Sequence, residues 1–145
     1  MRHKVHVTDE ILLTRENMFE PLLDADPAFA PLWQTFVEEW ADDKDHEPPL
    51  YLALADVARH LIGQLKTGEI EKFDAVFGVV ERWHVKGNSY VRQAATVGLL
   101  ESLQNTNLHE GTKPEDFEGW LLPESKRWWD KLNRFWSDGE LLTEG

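Results

Sequence analysis

The chain has no cysteine among its 145 residues. That excludes a disulfide framework, a thiolate zinc site and a thiol nucleophile together. It lacks an apolar run of transmembrane length, and the basic start "MRHKVHVTDE" has no hydrophobic segment behind it. Neither a membrane span nor a signal peptide is therefore expected, and a cytoplasmic protein is the simplest reading. Positive charge is scarce. Fifteen Lys and Arg face 27 Asp and Glu, a formal net charge of -12. Such a chain is repelled by phosphate backbones and anionic lipid, so neither nucleic acid nor membrane is an expected partner, and a basic protein is.

Enzyme signatures are also missing. There is no Gly-rich phosphate loop, no Gly-x-Ser-x-Gly elbow and no His-Glu-x-x-His. The six histidines, at 3, 6, 46, 60, 84 and 109, are dispersed and never pair with carboxylates at metal-ligand spacing on an expected helix. "DDKDHE" alternates Asp43, Asp45 and Glu47, but it has no glycine at the sixth position and no glutamate at the twelfth of a calcium loop. No metal, cofactor or catalytic residue is expected.

Hydrophobic residues make up 41% of the chain, with seven Trp and seven Phe, enough for one domain with a real core. The pattern is helical almost throughout. Thr8 caps an expected first helix, with Ile11, Met18, Phe19 and Leu22 inward and Pro21 ending or bending it. Asp26-Pro27 starts a second, whose stripe is Phe29, Leu32, Trp33, Phe36, Val37 and Trp40. A third runs from about Pro49 to Lys66 with Gly68 as its C-terminal cap. A fourth spans about Glu69 to His84 and buries Ile70, Phe73, Phe77 and Val80. Asn88 or Ser89 caps a fifth, which ends near Gln104. Pro114 opens a short helical turn, and Pro123 opens a last helix carrying Trp128, Trp129, Leu132, Phe135 and Trp136. Most of these aromatics, with Trp120, are expected in the core. Gly139 ends that helix, and a loose tail follows. The expectation is a single all-α domain of about six helices, antiparallel hairpins stacked as a short HEAT-like solenoid or compact bundle.

The segment "KGNSYVRQAATVGLLESLQN" has the small residues of a close helix crossing, and Gly98 is its clearest mark. Arg92 is expected to pair across the hairpin with Glu81 or another carboxylate. The longer run "FDAVFGVVERWHVKGNSYVRQAATVGLLESLQN", with "LLPESKRWWDKLNRFW", resembles a family of small, acidic, all-helical bacterial proteins associated with immunity to polymorphic or contact-dependent toxins. The likeness covers roughly residues 50 to 137. Glu81, Gly87, Arg92, Gly98, Leu100, Glu101 and Leu103-Gln104-Asn105 carry most of it. It implies a fold and a class of partner, and it transfers no catalytic residues.

More than half of the net charge falls in residues 21–48. There Glu38, Glu39, Asp42, Asp43, Asp45 and Glu47 surround Trp40. The bland reading is a solvated acidic loop. The sharper one is a docking edge for the basic cleft of a cognate toxin, of which a nuclease domain is the natural example. An adaptor for another cellular protein is the alternative, and a small enzyme is a third class.

Overall fold

The computed structural model describes residues 12–43 and 48–138, apart from the side chains of 137 and 138. The chain is all-α. Helices α1 (Phe19–Ala25), α2 (Ala30–Trp40), α3 (Leu50–Thr67) and α4 (Phe73–Lys86) lead to a central helix, α5. This α5 is α-helical over Ser89–Gln93, π-helical over Ala94–Leu100 and α-helical again over Glu101–Gln104. Two 3₁₀ turns, Thr106–Leu108 and Pro114–Trp120, connect it to α6 (Pro123–Asp138). No described helix is long and apolar enough to cross a membrane.

Local chemistry explains most boundaries. The Asp26 carboxylate accepts from the Ala28 N–H at 3.2 Å, and Pro27 opens the 3₁₀ turn that leads into α2. Gly68 closes α3 with φ 81°, a left-handed conformation that a β-carbon would strain. The Asn88 side chain, rather than Ser89, caps α5 by accepting from the Val91 N–H at 3.0 Å.

Several expectations are corrected. Thr8 and Ile11 lie outside the described residues. Pro21 does not end a helix but sits in the first turn of α1, where its missing N–H has no intrahelical acceptor to lose. Ile70 is 40% exposed, because α4 begins only at Phe73. In α2 only Phe36 is buried, with Trp33 half-buried beside it, while Leu32 and Val37 are exposed. At 100° per residue those two border the apolar stripe on opposite sides, so α2 is a peripheral helix lying on the core.

The core itself is built from α3, α4 and α5. Leu54, Val57, Ala58 and Leu61 meet Ala94, Ala95, Leu99 and Leu100, while Phe73, Phe77, Val80 and Trp83 line the other side. Among the described helices the most extensive packing joins α3 to the π segment. Each large aliphatic or aromatic side chain buried there contributes about 1.5–3 kcal/mol relative to exposure. Gly98 marks the close crossing: a β-carbon on it would lie 2.7 Å from Leu54 Cδ1.

The N-terminal segment is fastened to the α4–α5 junction. Leu13 N–H donates to the Lys86 carbonyl and Asn88 N–H to the Leu13 carbonyl, both at 2.9 Å. Arg15 donates to the Tyr90 hydroxyl at 2.7 Å and to the Pro48 carbonyl. Gly87 sits at this junction, and its need is steric. A β-carbon there would fall 2.3 Å from the Trp83 carbonyl oxygen and 2.6 Å from Val91 Cγ1.

Gly87→Ala should therefore cost about 3 kcal/mol, since backbone must shift to admit the methyl. Gly63→Ala, with nothing within 4 Å of the new carbon, should gain about 0.5–1 kcal/mol of helix propensity. Urea denaturation of the two variants checks the contrast, and a harmless Gly87→Ala would refute the steric account.

Candidate functional site

Two surfaces and one buried network could carry function. The first surface is the acidic end of α2. Its aromatic side is anchored where Trp33 stacks on Phe19 at 4.3 Å and lies 5.6 Å from Phe36. Its start is tied to α3 by Asp26, which is 2% exposed and whose carboxylate lies 2.9 Å from His60 Nε2. The helix is thus held by one face and one end, leaving its far end toward solvent.

There Glu38, Glu39 and Asp42 are exposed, and Asp43 is half-buried. Gln34 Nε2 donates to Glu38 at 3.0 Å. Trp40 is half-buried against the core, so its ring is partly spent on packing rather than projecting as a free anchor. Asp45 and Glu47 lie outside the described residues. The charges are badly placed for the helix itself. Glu38 and Glu39 occupy the last turn, at the negative end of the helix dipole, and no basic residue stands in that turn. Each such carboxylate costs about 0.3–1 kcal/mol in the reverse of the usual favourable arrangement.

The buried network joins α4, α5 and α6. Glu81 accepts from the backbone N–H groups of Glu124 at 3.0 Å and Ser125 at 2.9 Å, and from the Ser125 hydroxyl at 2.9 Å. It caps α6. The reason is geometric: two unsatisfied N–H groups at a helix start hold a carboxylate through two oxygens. Arg92 donates to Ser89 Oγ at 3.4 Å. His84 is 4% exposed, with Nδ1 at 2.9 Å from the Val80 carbonyl and Nε2 at 3.0 Å from Thr96 Oγ1. The carbonyl assigns the proton to Nδ1. Burial pushes the His84 pKa below its ordinary 6.5, and its bond to Val80 only partly opposes this.

Ser125, His84 and Glu81 include the residue types of a nucleophilic triad, but they are wired differently. Ser125 is 0% exposed and donates to Glu81, and the carboxylate does not orient the imidazole. A triad needs the acid on the histidine and the hydroxyl proton directed to the free ring nitrogen. The arrangement ties helices.

Above this network opens a cleft of about 620 Å³, lined by Ser89, Arg92, Thr96, Glu124, Arg127 and Trp128 among others. Its charges are internally matched in part, since Arg127 donates to Glu124 at 2.8 Å. Trp128 has two cations near its ring, with Arg127 and Lys131 each 5.0 Å from the ring centre. Sequence reasoning missed this network. The available signal was Glu81 and His84 three residues apart on one helix face, with two small hydroxyl residues facing them from other helices.

A family model described as a domain of unknown function (DUF7674) matches residues 19–137, from the start of α1 almost to the end of α6. The chain belongs to this family. No curated protein and no solved structure matches it. The matched span contains α1 to α5, the three 3₁₀ turns and nearly all of α6, so the network and both surfaces lie inside the family domain.

Two outcomes follow for the network. Glu81→Ala should destabilise the protein by about 2 kcal/mol, the combined loss of a cap and of charge-assisted bonds. Thermal or urea unfolding measures it, and a loss within error would show that the cap is dispensable. For His84, the folded state holds its proton less readily than the unfolded state. The stability it contributes is present above pH 6.5 and is lost as pH falls through the depressed folded value. Urea titrations at stepped pH should show stability falling below that point, with a shallower fall in His84→Gln. An identical slope in the variant would remove His84 as the cause.

Proposed function

We propose that this protein is a non-catalytic inhibitor of the immunity type, which binds a cognate toxin domain and neutralises it. The partner surface is the acidic end of α2, comprising Glu38, Glu39 and Asp42 with Trp40 behind them, extended by Asp43, Asp45 and Glu47. One observation carries this reading. Exposed carboxylates crowd the negative end of a helix dipole, where they oppose local stability and have no cation in the turn. Local rules are most often broken where function requires it. A concentrated negative field serves a partner with a basic cleft, and a nuclease toxin needs such a cleft to hold its own substrate. The family resemblance in residues 50–137 supports the same direction. The wiring of the buried Ser125–His84–Glu81 group supports a binding role over an enzymatic one.

Co-purification of the intact protein from its native cells, followed by mass spectrometry, should recover a basic protein whose expression arrests growth unless this chain is co-expressed. Recovery of a partner that does not inhibit growth would favour the adaptor reading. Charge reversal at Glu38, Glu39 and Asp42 should slow association about tenfold or more at low salt and flatten its salt dependence. An unchanged association rate would move the interface away from α2.

A further inference from the structure

A second groove, of about 800 Å³, opens between the C-terminal part of α5, the Pro114–Trp120 turn and α6. The side chains that matter are Glu101, Gln104, Glu115, Glu118, Trp129 and Trp136, and among the described residues no lysine, arginine or histidine lines it. Gln104 is 9% exposed. Its Nε2 donates to the Trp129 carbonyl at 3.0 Å, so turning the amide over would set two acceptors against each other. The orientation is therefore decided, and Oε1 is left buried with no hydrogen-bond partner among the described residues. Glu118 accepts from Trp129 Nε1 at 3.0 Å, which fixes that carboxylate in the wall. Trp136 is 57% exposed beside it, an indole face available to a ligand.

An orphan acceptor, three carboxylates and one exposed indole, that of Trp136, ask for a ligand that donates hydrogen bonds and carries positive charge. Among the described residues no three His, Asp or Glu side chains are placed to hold a metal ion. The acceptors are spread along a groove, which suits a planar cation with several N–H donors that can also stack on an indole. The groove volume exceeds that of one side chain and leaves room for the chain that bears it. The geometry points to a binding site for an arginine side chain of a basic polypeptide, its guanidinium held by Glu101 and Glu118, reaching toward Gln104 Oε1 and stacked on Trp136. The site is built from elements other than α2 and stands apart from the acidic edge, and its test does not use that edge's partner. Burial raises the Glu101 pKa, because desolvation disfavours the charged carboxylate.

The test titrates the intact protein with a capped pentapeptide, Gly-Gly-Arg-Gly-Gly, while the Trp129 and Trp136 indole N–H resonances are followed. The same peptide with citrulline, an uncharged isostere, and free agmatine serve as comparisons. The arginine peptide should shift both resonances saturably, and citrulline should not. Agmatine should bind more weakly than the peptide. Glu118→Gln, which keeps an oxygen for the Trp129 indole, and Trp136→Ala, at an exposed position, should each weaken peptide binding about tenfold. Equal responses to arginine and citrulline, or unchanged affinity in both variants, would overturn the site. Tighter binding of agmatine than of the peptide would overturn the polypeptide source.

Discussion

Glu81 holds the first turn of α6 against α4, and the last third of the domain depends on that contact. Helix α6 spans Pro123–Asp138, a length at which an isolated helix is marginal in water. It buries few side chains, chiefly Trp129 and Leu132. The carboxylate supplies the missing acceptors at its start, and the Trp129 carbonyl accepts from Gln104 further along. The same Ser125 hydroxyl lies 3.2 Å from His84, which reaches Thr96 in the π segment. One polar chain thus registers α4, α5 and α6. In a buried setting such a chain is costly if broken and specific if complete.

That arrangement divides the carboxylates into two populations. Glu81 is satisfied by backbone N–H groups and serves the fold. Glu38, Glu39 and Asp42 lie exposed, Glu38 accepts from Gln34 on its own helix, and the helix dipole opposes the first two. Glu101, Glu115 and Glu118 form a third group, facing a groove whose described lining residues include no cation. The surplus negative charge is therefore directional. Placed on a peripheral helix and around a groove, it gives the molecule two places where positive charge is attracted.

Much of the architecture was legible because it rests on local chemistry. Asp26-Pro27, Gly68, Asn88, Pro114 and Pro123 mark helix ends through caps and fixed φ angles, which depend on few neighbours. Gly98 was legible as a crossing because a glycine in an apolar helix has few other uses. The site was less legible. The acidic edge could be named from charge density, but the half-burial of Trp40 and the dipole conflict appear only once α2 has defined ends. Pro21 was misread because proline both ends and begins helices, and the direction depends on where the first hydrogen bond forms.

The sequence by itself determined the all-α class, most helix starts and stops, and the concentration of acid near residue 40. These follow from periodicity and from side chains acting on their own backbone. Only the tertiary structure decided that Glu81 would cap α6, that α5 would widen into a π segment against α3, and that Gln104 would keep an acceptor without a partner among the described residues. Each of these depends on which groups from distant parts of the chain compete for the same hydrogen bond or the same space. That competition is settled only when the helices pack.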